Sequence, residues 1–239
     1  MISIQRLTKR FNNFTAVDDL TLDTKPGEFY GFLGPNGAGK TTTIKMMVGL
    51  FAPTSGTITI NGFDIQKQPI EAKMVTGYIP DQPFLYEKLT GREFLYFSAG
   101  LYNMNHASTK DKVEEAAELF EIGSWIDQRT ENYSQGMRQR IVIASALLHN
   151  PKVLIIDEPM VGLDPRSAHI VKETLKKKSQ EGMAIFMSTH SLPVAEELCS
   201  RIGIIKDGKL IFENSPDALH IMKDKYDGKF ESLFLELTK

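Results

Sequence analysis

One cysteine, Cys199, is all that the 239 residues contain. A lone thiol closes no internal disulfide, and nothing in the chain points to an oxidising compartment. Long apolar runs are missing too. The longest, "IVIASALL" at 141–148, falls far short of the ~20 residues a helix needs to cross a bilayer. The opening "MISIQRLTKRF" alternates apolar and polar residues and lacks the apolar centre of a secretory signal. The chain is therefore expected in the cytosol, with membrane association only through a partner. Charge of one sign is not in excess. Lys and Arg number 28 against 30 Asp and Glu, for a net charge of −2 and a pI of about 6.2. No global positive field draws in nucleic acid, and none is expected as a partner.

What the chain does have is 41% hydrophobic residues, enough for a core in one domain or a domain with a subdomain. Ile2 and Ile4 alternate with polar neighbours, as does "LTL" at 20–22, which fits half-buried strands. "GEFYGFL" (27–33), "VLII" (153–156) and "AIFMS" (184–188) are continuous apolar runs, which predict strands buried on both faces. "TITING" at 57–62 and "IGIIKDGKLIF" at 202–212 predict hairpins turning at Asn61-Gly62 and Asp207-Gly208. Between about 89 and 148 the spacing is helical. Val113, Ala116, Ala117 and Phe120 share one face; Ile141, Ala144, Ser145 and Leu148 share another. A further helix is predicted over 169–178, and an amphipathic piece, "FESLFLEL", in the tail. The alternation predicts an α/β parallel-sheet core with an inserted helical subdomain.

"GPNGAGKT" at 34–41 fits G-x-x-x-x-G-K-[ST] in full, after an apolar strand and before a helical pattern. Backbone amides converge on phosphate oxygens only where tight turns carry no Cβ. The following helix points its N-terminal amides at the same anion. Gly34, Pro35, Asn36, Gly37, Ala38, Gly39, Lys40, Thr41 and Thr42 are thus the candidate nucleotide-binding loop. Lys40 supplies charge to the β- and γ-phosphates, and the Thr41 hydroxyl suits Mg2+. "VLIIDEP" ends a strand with two acids: Asp157 is placed to hold Mg2+, and Glu158 to polarise an attacking water. No N-K-x-D guanine signature is present.

"NYSQGMRQR" (132–140) lies just before that strand, and with it the chain resembles the ATP-binding cassette (ABC) ATPases from Phe11 to beyond His190. Six motifs stand in the family's order. The resemblance implies a P-loop core with an antiparallel β subdomain, a helical subdomain, and ATP and Mg2+ as ligands. One ABC domain is expected over 1–239: core at about 1–88 and 150–214, helical part at about 89–149, tail at 215–239. It also implies that Ser134 and Gly136 close on nucleotide bound by a second ATPase unit in a head-to-tail dimer, of this chain or of a relative. Tyr133, Gln135 and Met137 depart from the family's Leu, Gly and Gln. Asp164, in "VGLD", corresponds to the residue that couples the two sites.

His190 corresponds to the histidine that contacts the γ-phosphate and orients water with the glutamate. Catalytic candidates are therefore Glu158, His190 and Lys40. His106, His149, His169 and His220 receive no role. Phe11 matches the ring that stacks on adenine, with Phe14 a neighbouring competitor. The family's Mg2+-sensing glutamine falls at Asp81 or Gln82, and Gln82 is taken as the metal and nucleotide contact. Phe84 and Tyr86 follow as candidates for docking a separate transmembrane permease. The implied function is the ATP-hydrolysing subunit of an export-type transporter, peripheral on the cytoplasmic face of the membrane. The alternative is a soluble ABC-type ATPase or an ATP-binding regulatory module. Soluble relatives usually carry two cassettes or a long coiled-coil insertion, and neither is seen here.

Overall fold

Three strands, Phe29–Leu33, Val153–Asp157 and Ala184–Thr189, have every residue buried. Such strands need apolar cover on both faces, and they lie in the middle of a sheet that has it. The structure, a computed structural model, describes residues 1–160, 162–215 and 234. Val161, His220 and, apart from Phe234, the predicted amphipathic tail lie outside the described residues.

In chain order the strands are β1 (Ile2–Phe11), β2 (Phe14–Thr24), β3 (Phe29–Leu33), β4 (Ser55–Ile60), β5 (Phe63–Asp64), β6 (Thr76–Ile79), β7 (Val153–Asp157), β8 (Ala184–Thr189), β9 (Arg201–Lys206) and β10 (Lys209–Asn214). The helices are α1 (Lys40–Met47), α2 (Pro69–Met74), α3 (Gly91–Leu101), α4 (His106–Leu119), α5 (Gln135–Leu147), α6 (Pro165–Gln180) and α7 (Leu192–Leu198). An antiparallel sheet runs β2-β1-β4-β5, and a second sheet runs β10-β9-β3-β8-β7-β6. In the second, all neighbours pair in parallel except β10, which is antiparallel to β9.

The central strands divide their side chains between two cores. Tyr30, Phe32, Val153, Ile155 and Phe186 face α1 and the antiparallel sheet. Phe29, Leu33, Leu154, Ile156, Ile185 and Met187 face the other helices. This is the period-2 alternation of a strand, with apolar residues on both sides. The helical faces predicted around Val113 and Ile141 are buried in the second core. Ser145 is partly buried at its margin.

Both predicted hairpins are present, Ile60 opposite Phe63 and Lys206 opposite Lys209. The helix expected over 169–178 is longer, because Asp164 caps it by accepting from the Ser167 amide at 3.0 Å and Pro165 opens it. The sequence pattern gives no sign of α2, β6 and α7. Each is short, β6 only four residues.

Candidate active site

The parallel register sets the carboxyl ends of three strands side by side. Leu33 of β3 pairs with Thr189 of β8, and Asp157 of β7 pairs with Ser188. The glycine loop, Glu158 and His190, each just past the end of one of these strands, therefore meet at one sheet edge, where open α/β sheets place ligands. A cleft of about 460 Å3 lies there. Asn36, Gly37, Gly39, Lys40, Thr41, Thr42, Asp81, Asp157, Glu158 and His190 line it, with Phe14 and Ala16 at its rim.

The loop's glycines are fixed by space as well as by conformation. A Cβ on Gly34 would fall 2.3 Å from the Ile205 carbonyl oxygen. One on Gly39, at φ 108°, would fall 2.4 Å from the Ala16 carbonyl oxygen. Ala38 is buried, and Pro35 accepts its amide at 3.2 Å. Gly34, Pro35 and Ala38 thus shape the loop from behind while its other residues face the cleft. Gly39 caps α1 with no side-chain hydrogen bond, and no acid stands in the first turn. The helix N-terminus therefore keeps its positive character toward the cleft. Thr43, in the first turn of α1, donates its hydroxyl to the Gly39 carbonyl at 2.9 Å.

The Lys40 ammonium donates to the carbonyls of Gly34 at 2.7 Å and Pro35 at 3.1 Å. Burial lowers its pKa, and the nearby charges of Glu158 and Asp157 oppose that shift. Asp157 is 1% exposed. Its Oδ1 accepts from the Ser188 hydroxyl, while Oδ2 is buried with no hydrogen-bond partner among the described residues. A buried carboxylate oxygen without a donor is an acceptor fit for a cation. Glu158 adopts φ 50°, rare for a side-chain-bearing residue, with its amide on the Ser188 carbonyl at 3.2 Å. His190 Nδ1 stands 2.8 Å from Glu158 Oε1. The carboxylate accepts, so Nδ1 carries the proton in this pairing.

Two sequence expectations meet different geometry. Gln82 is exposed and outside the lining, and Asp81 lines the cleft instead. Both residues lie in a bend after β6, where spacing along the sequence does not set which side chain turns inward. Phe11 is also outside the lining. Its ring packs edge-on against Phe51 at 5.7 Å, with Lys9 Nζ 4.9 Å from its centroid. Its cross-strand partner Phe14 lines the cleft. Spacing in the sequence did not reveal Ser188, because a buried strand serine carries no signal until register places it beside Asp157.

Ser134, Gly136 and Asp164 stand away from the cleft lining and gather at the start of α5. Ser134 caps α5, accepting from the Met137 amide at 3.3 Å. A Cβ on Gly136 would meet the Gly162 carbonyl oxygen at 3.6 Å and Asp164 Oδ2 at 3.7 Å, ordinary contacts. The chain's own packing therefore does not demand glycine there.

Fold and cleft together define a P-loop nucleoside-triphosphatase fold. The sequence profile of ABC transporters matches residues 17–161. The chain is 43% identical over 212 residues to the ABC transporter ATP-binding protein YhcH of Bacillus subtilis (strain 168), covering 88% of this chain and 68% of that one. It is 38% identical over 218 residues to Nod factor export ATP-binding protein I of Paraburkholderia xenovorans (strain LB400), covering 91% and 72%. A solved ATP-binding subunit of an ABC transporter matches with TM-score 0.93 and 31% identity over 100% of both chains. A dimeric ATP-binding cassette in a post-hydrolysis state with ADP and Pi matches with TM-score 0.81 and 25% identity, covering 90% and 99%. The chain belongs to the family of ABC transporter ATP-binding subunits.

Proposed function

We propose that the chain hydrolyses ATP as one of two head-to-tail ATPase units and thereby drives export by a separate transmembrane permease. The observation that carries this reading is the Glu158–His190 contact at 2.8 Å beside the glycine loop. A carboxylate paired with an imidazole at the mouth of a phosphate cleft is suited to orient and deprotonate water. Lys40 and the loop amides hold the β- and γ-phosphates. His190, 63% exposed and in the cleft lining, has Nε2 left over for the terminal phosphate. Phe14, the aromatic ring of the β1–β2 hairpin end that lines the cleft, holds the base.

Asp157 Oδ2 and the Thr41 hydroxyl would hold Mg2+, which usually takes one or two carboxylates with substrate phosphates. When bound, the ion neutralises charge on the phosphate oxygens. Among the described residues no cluster of three or more His, Cys, Asp or Glu could hold a metal by itself, in keeping with a site completed by the substrate. Asp81, from its place in the lining, takes the position expected of Gln82.

Ser134 and Gly136 serve the partner's nucleotide. Ser134's hydroxyl accepts within its own helix, and its proton remains to donate outward. The α3–α5 segment, about 89–149, forms the subdomain that carries them. Among the described residues no helix is long and apolar enough to cross a membrane, so attachment to the cytoplasmic face comes through the permease. Phe84 (70% exposed) and Tyr86 pack edge-on at 5.5 Å, and Tyr86 packs on Phe97 at 5.3 Å. We assign this exposed aromatic cluster to permease docking. The export direction rests on likeness to an export subunit.

Glu158→Gln tests the chemistry. The variant is expected to bind ATP with parental affinity and to lose turnover by about 100-fold or more, within the range of general-base contributions. Phosphate release at the parental rate would remove Glu158 from the role.

A further inference from the structure

Glu158 holds an unfavourable backbone. Its φ is 50°, and the residue after it is Pro159, which restricts the preceding residue toward extended conformations. A side chain held there against two preferences needs anchors on both sides. On the N-terminal side its own amide donates to the Ser188 carbonyl at 3.2 Å. Proline has no amide of its own to donate. The Pro159 carbonyl instead accepts from Gln139 Nε2 at 3.2 Å. Gln139 lies on α5, in the helix that Ser134 caps, and is 1% exposed. A carbonyl partner only accepts, so the amide's orientation is fixed with nitrogen toward Pro159. Its Oε1 is buried with no partner among the described residues. A buried polar group that leaves half its capacity unused is costly, which sets this glutamine apart from a residue kept for packing.

The same face of α5 touches the segment after Glu158 a second time. Gln135 lies one turn before Gln139, and its Cγ would be 2.6 Å from a Cβ placed on Gly162. The helix capped by Ser134 thus bonds to Pro159 and lies close against Gly162.

We infer that Gln139 is a positioning residue: through its hydrogen bond to the Pro159 carbonyl it fixes the backbone of Glu158, so that the carboxylate meets His190. It acts through Glu158 and touches no substrate. The inference rests on the proposed role of Glu158. It makes the motif helix a support for the chain's own carboxylate as well as a cap toward a partner's nucleotide.

Gln139→Met keeps length and apolar stem and removes the donor. Gln139→Glu restores a donor only when its carboxyl is protonated. Steady-state hydrolysis by the full chain, with melting temperature and ATP affinity, is measured for both across pH, beside Glu158→Gln. The expected result for Gln139→Met is a kcat lower by about 10- to 100-fold, the scale on which small misplacements act. ATP affinity and melting temperature stay near the parent's. The ratio of Gln139→Glu to parental kcat rises as pH falls, while that of Gln139→Met stays flat. A Gln139→Met kcat within about twofold of the parent's, or a pH-flat ratio for Gln139→Glu, overturns the inference. So does a joint loss of rate, affinity and fold in both variants, because that is what a purely structural residue shows. If Glu158→Gln itself keeps turnover, the proposed base is at fault. If Glu158→Gln is dead and Gln139→Met is not, only the positioning role falls.

Discussion

Adjacent acids at the end of β7 are held by different means, and the difference separates their roles. Asp157 completes a buried strand and shares one oxygen with Ser188, leaving the other without a partner among the described residues. Glu158 leaves the strand at φ 50° and reaches His190. Both were legible as residue types in "IIDEP", because two acids after an apolar run need a reason to be there. The pairing of Glu158 with His190 followed only from the family resemblance, and the contact of Asp157 with Ser188 was not legible at all, because contacts across a sheet depend on register. The same limit applies to Asp81 against Gln82 and to Phe14 against Phe11: spacing does not say which of two neighbours faces inward.

Tyr133 is a second case. It stands where the family resemblance places leucine, and its hydroxyl accepts the Gly91 amide at 3.1 Å while facing the carbonyls of Trp125 at 3.1 Å and Ile126 at 3.3 Å. The departure therefore ties the start of α5 to the first turn of α3. Tyr133→Phe is expected to cost about 1–3 kcal/mol by leaving buried groups unpaired. Urea unfolding measures it, and a loss under about 0.5 kcal/mol would assign the bonds no net value.

His149, given no role from sequence, stacks on Tyr102 with centroids 3.5 Å and planes 7° apart. Burial pushes its pKa down to about 4 from 6.5. The unfolded chain takes up this proton below about 6.5 and the folded chain only near 4, so stability falls as pH drops through that window. The effect is bounded at about 3 kcal/mol. His149→Phe keeps the stack and removes the titration, so its stability should lose less between pH 7.5 and 5. Identical acid limbs in the two proteins would contradict this.

Long elements with one clear period were readable, and short ones were not. The runs at 29–33, 153–157 and 184–189 can only be strands between two layers. β6 has four residues and includes Gly77, where a Cβ would lie 2.5 Å from the Ala146 carbonyl oxygen. That close approach dilutes the strand's own signal. The helical stretch expected from about 89 opens with α3, where "TGRE" is a capping box: Thr90 Oγ1 accepts the Glu93 amide at 3.1 Å, and Glu93 Oε2 accepts the Thr90 amide at 2.8 Å. The centre of the sheet is packed with aromatic rings. Phe186 lies parallel to Tyr30 at 5.4 Å and meets Phe32 at 5.2 Å. Phe186→Ala is expected to destabilise by about 3–5 kcal/mol. Chemical denaturation giving less than about 1 kcal/mol would mean that the neighbouring rings collapse into the space.

At the scale of the molecule, one apolar cluster joins α3, α4 and α5 to a face of the sheet. The cleft gathers the loop, Asp157, Glu158 and His190, while Ser134 and Gly136 stand outside its lining. A second chain is what would bring such residues to a nucleotide. In the sequence this was legible only through the family resemblance, which assigns a helix start with a serine and a glycine to a second chain. It left open whether the second chain is another copy.

Sedimentation of the Glu158→Gln protein with Mg2+ and ATP tests this most directly. The 26.8 kDa chain should pair with itself when ATP is present and separate when it is removed. Adding Gly136→Asp, which sets a carboxylate at the start of α5 beside Asp164, should leave nucleotide binding intact and keep the chain monomeric. A chain that stays single at saturating ATP, or pairs regardless of Gly136→Asp, would contradict a nucleotide shared between two like subunits.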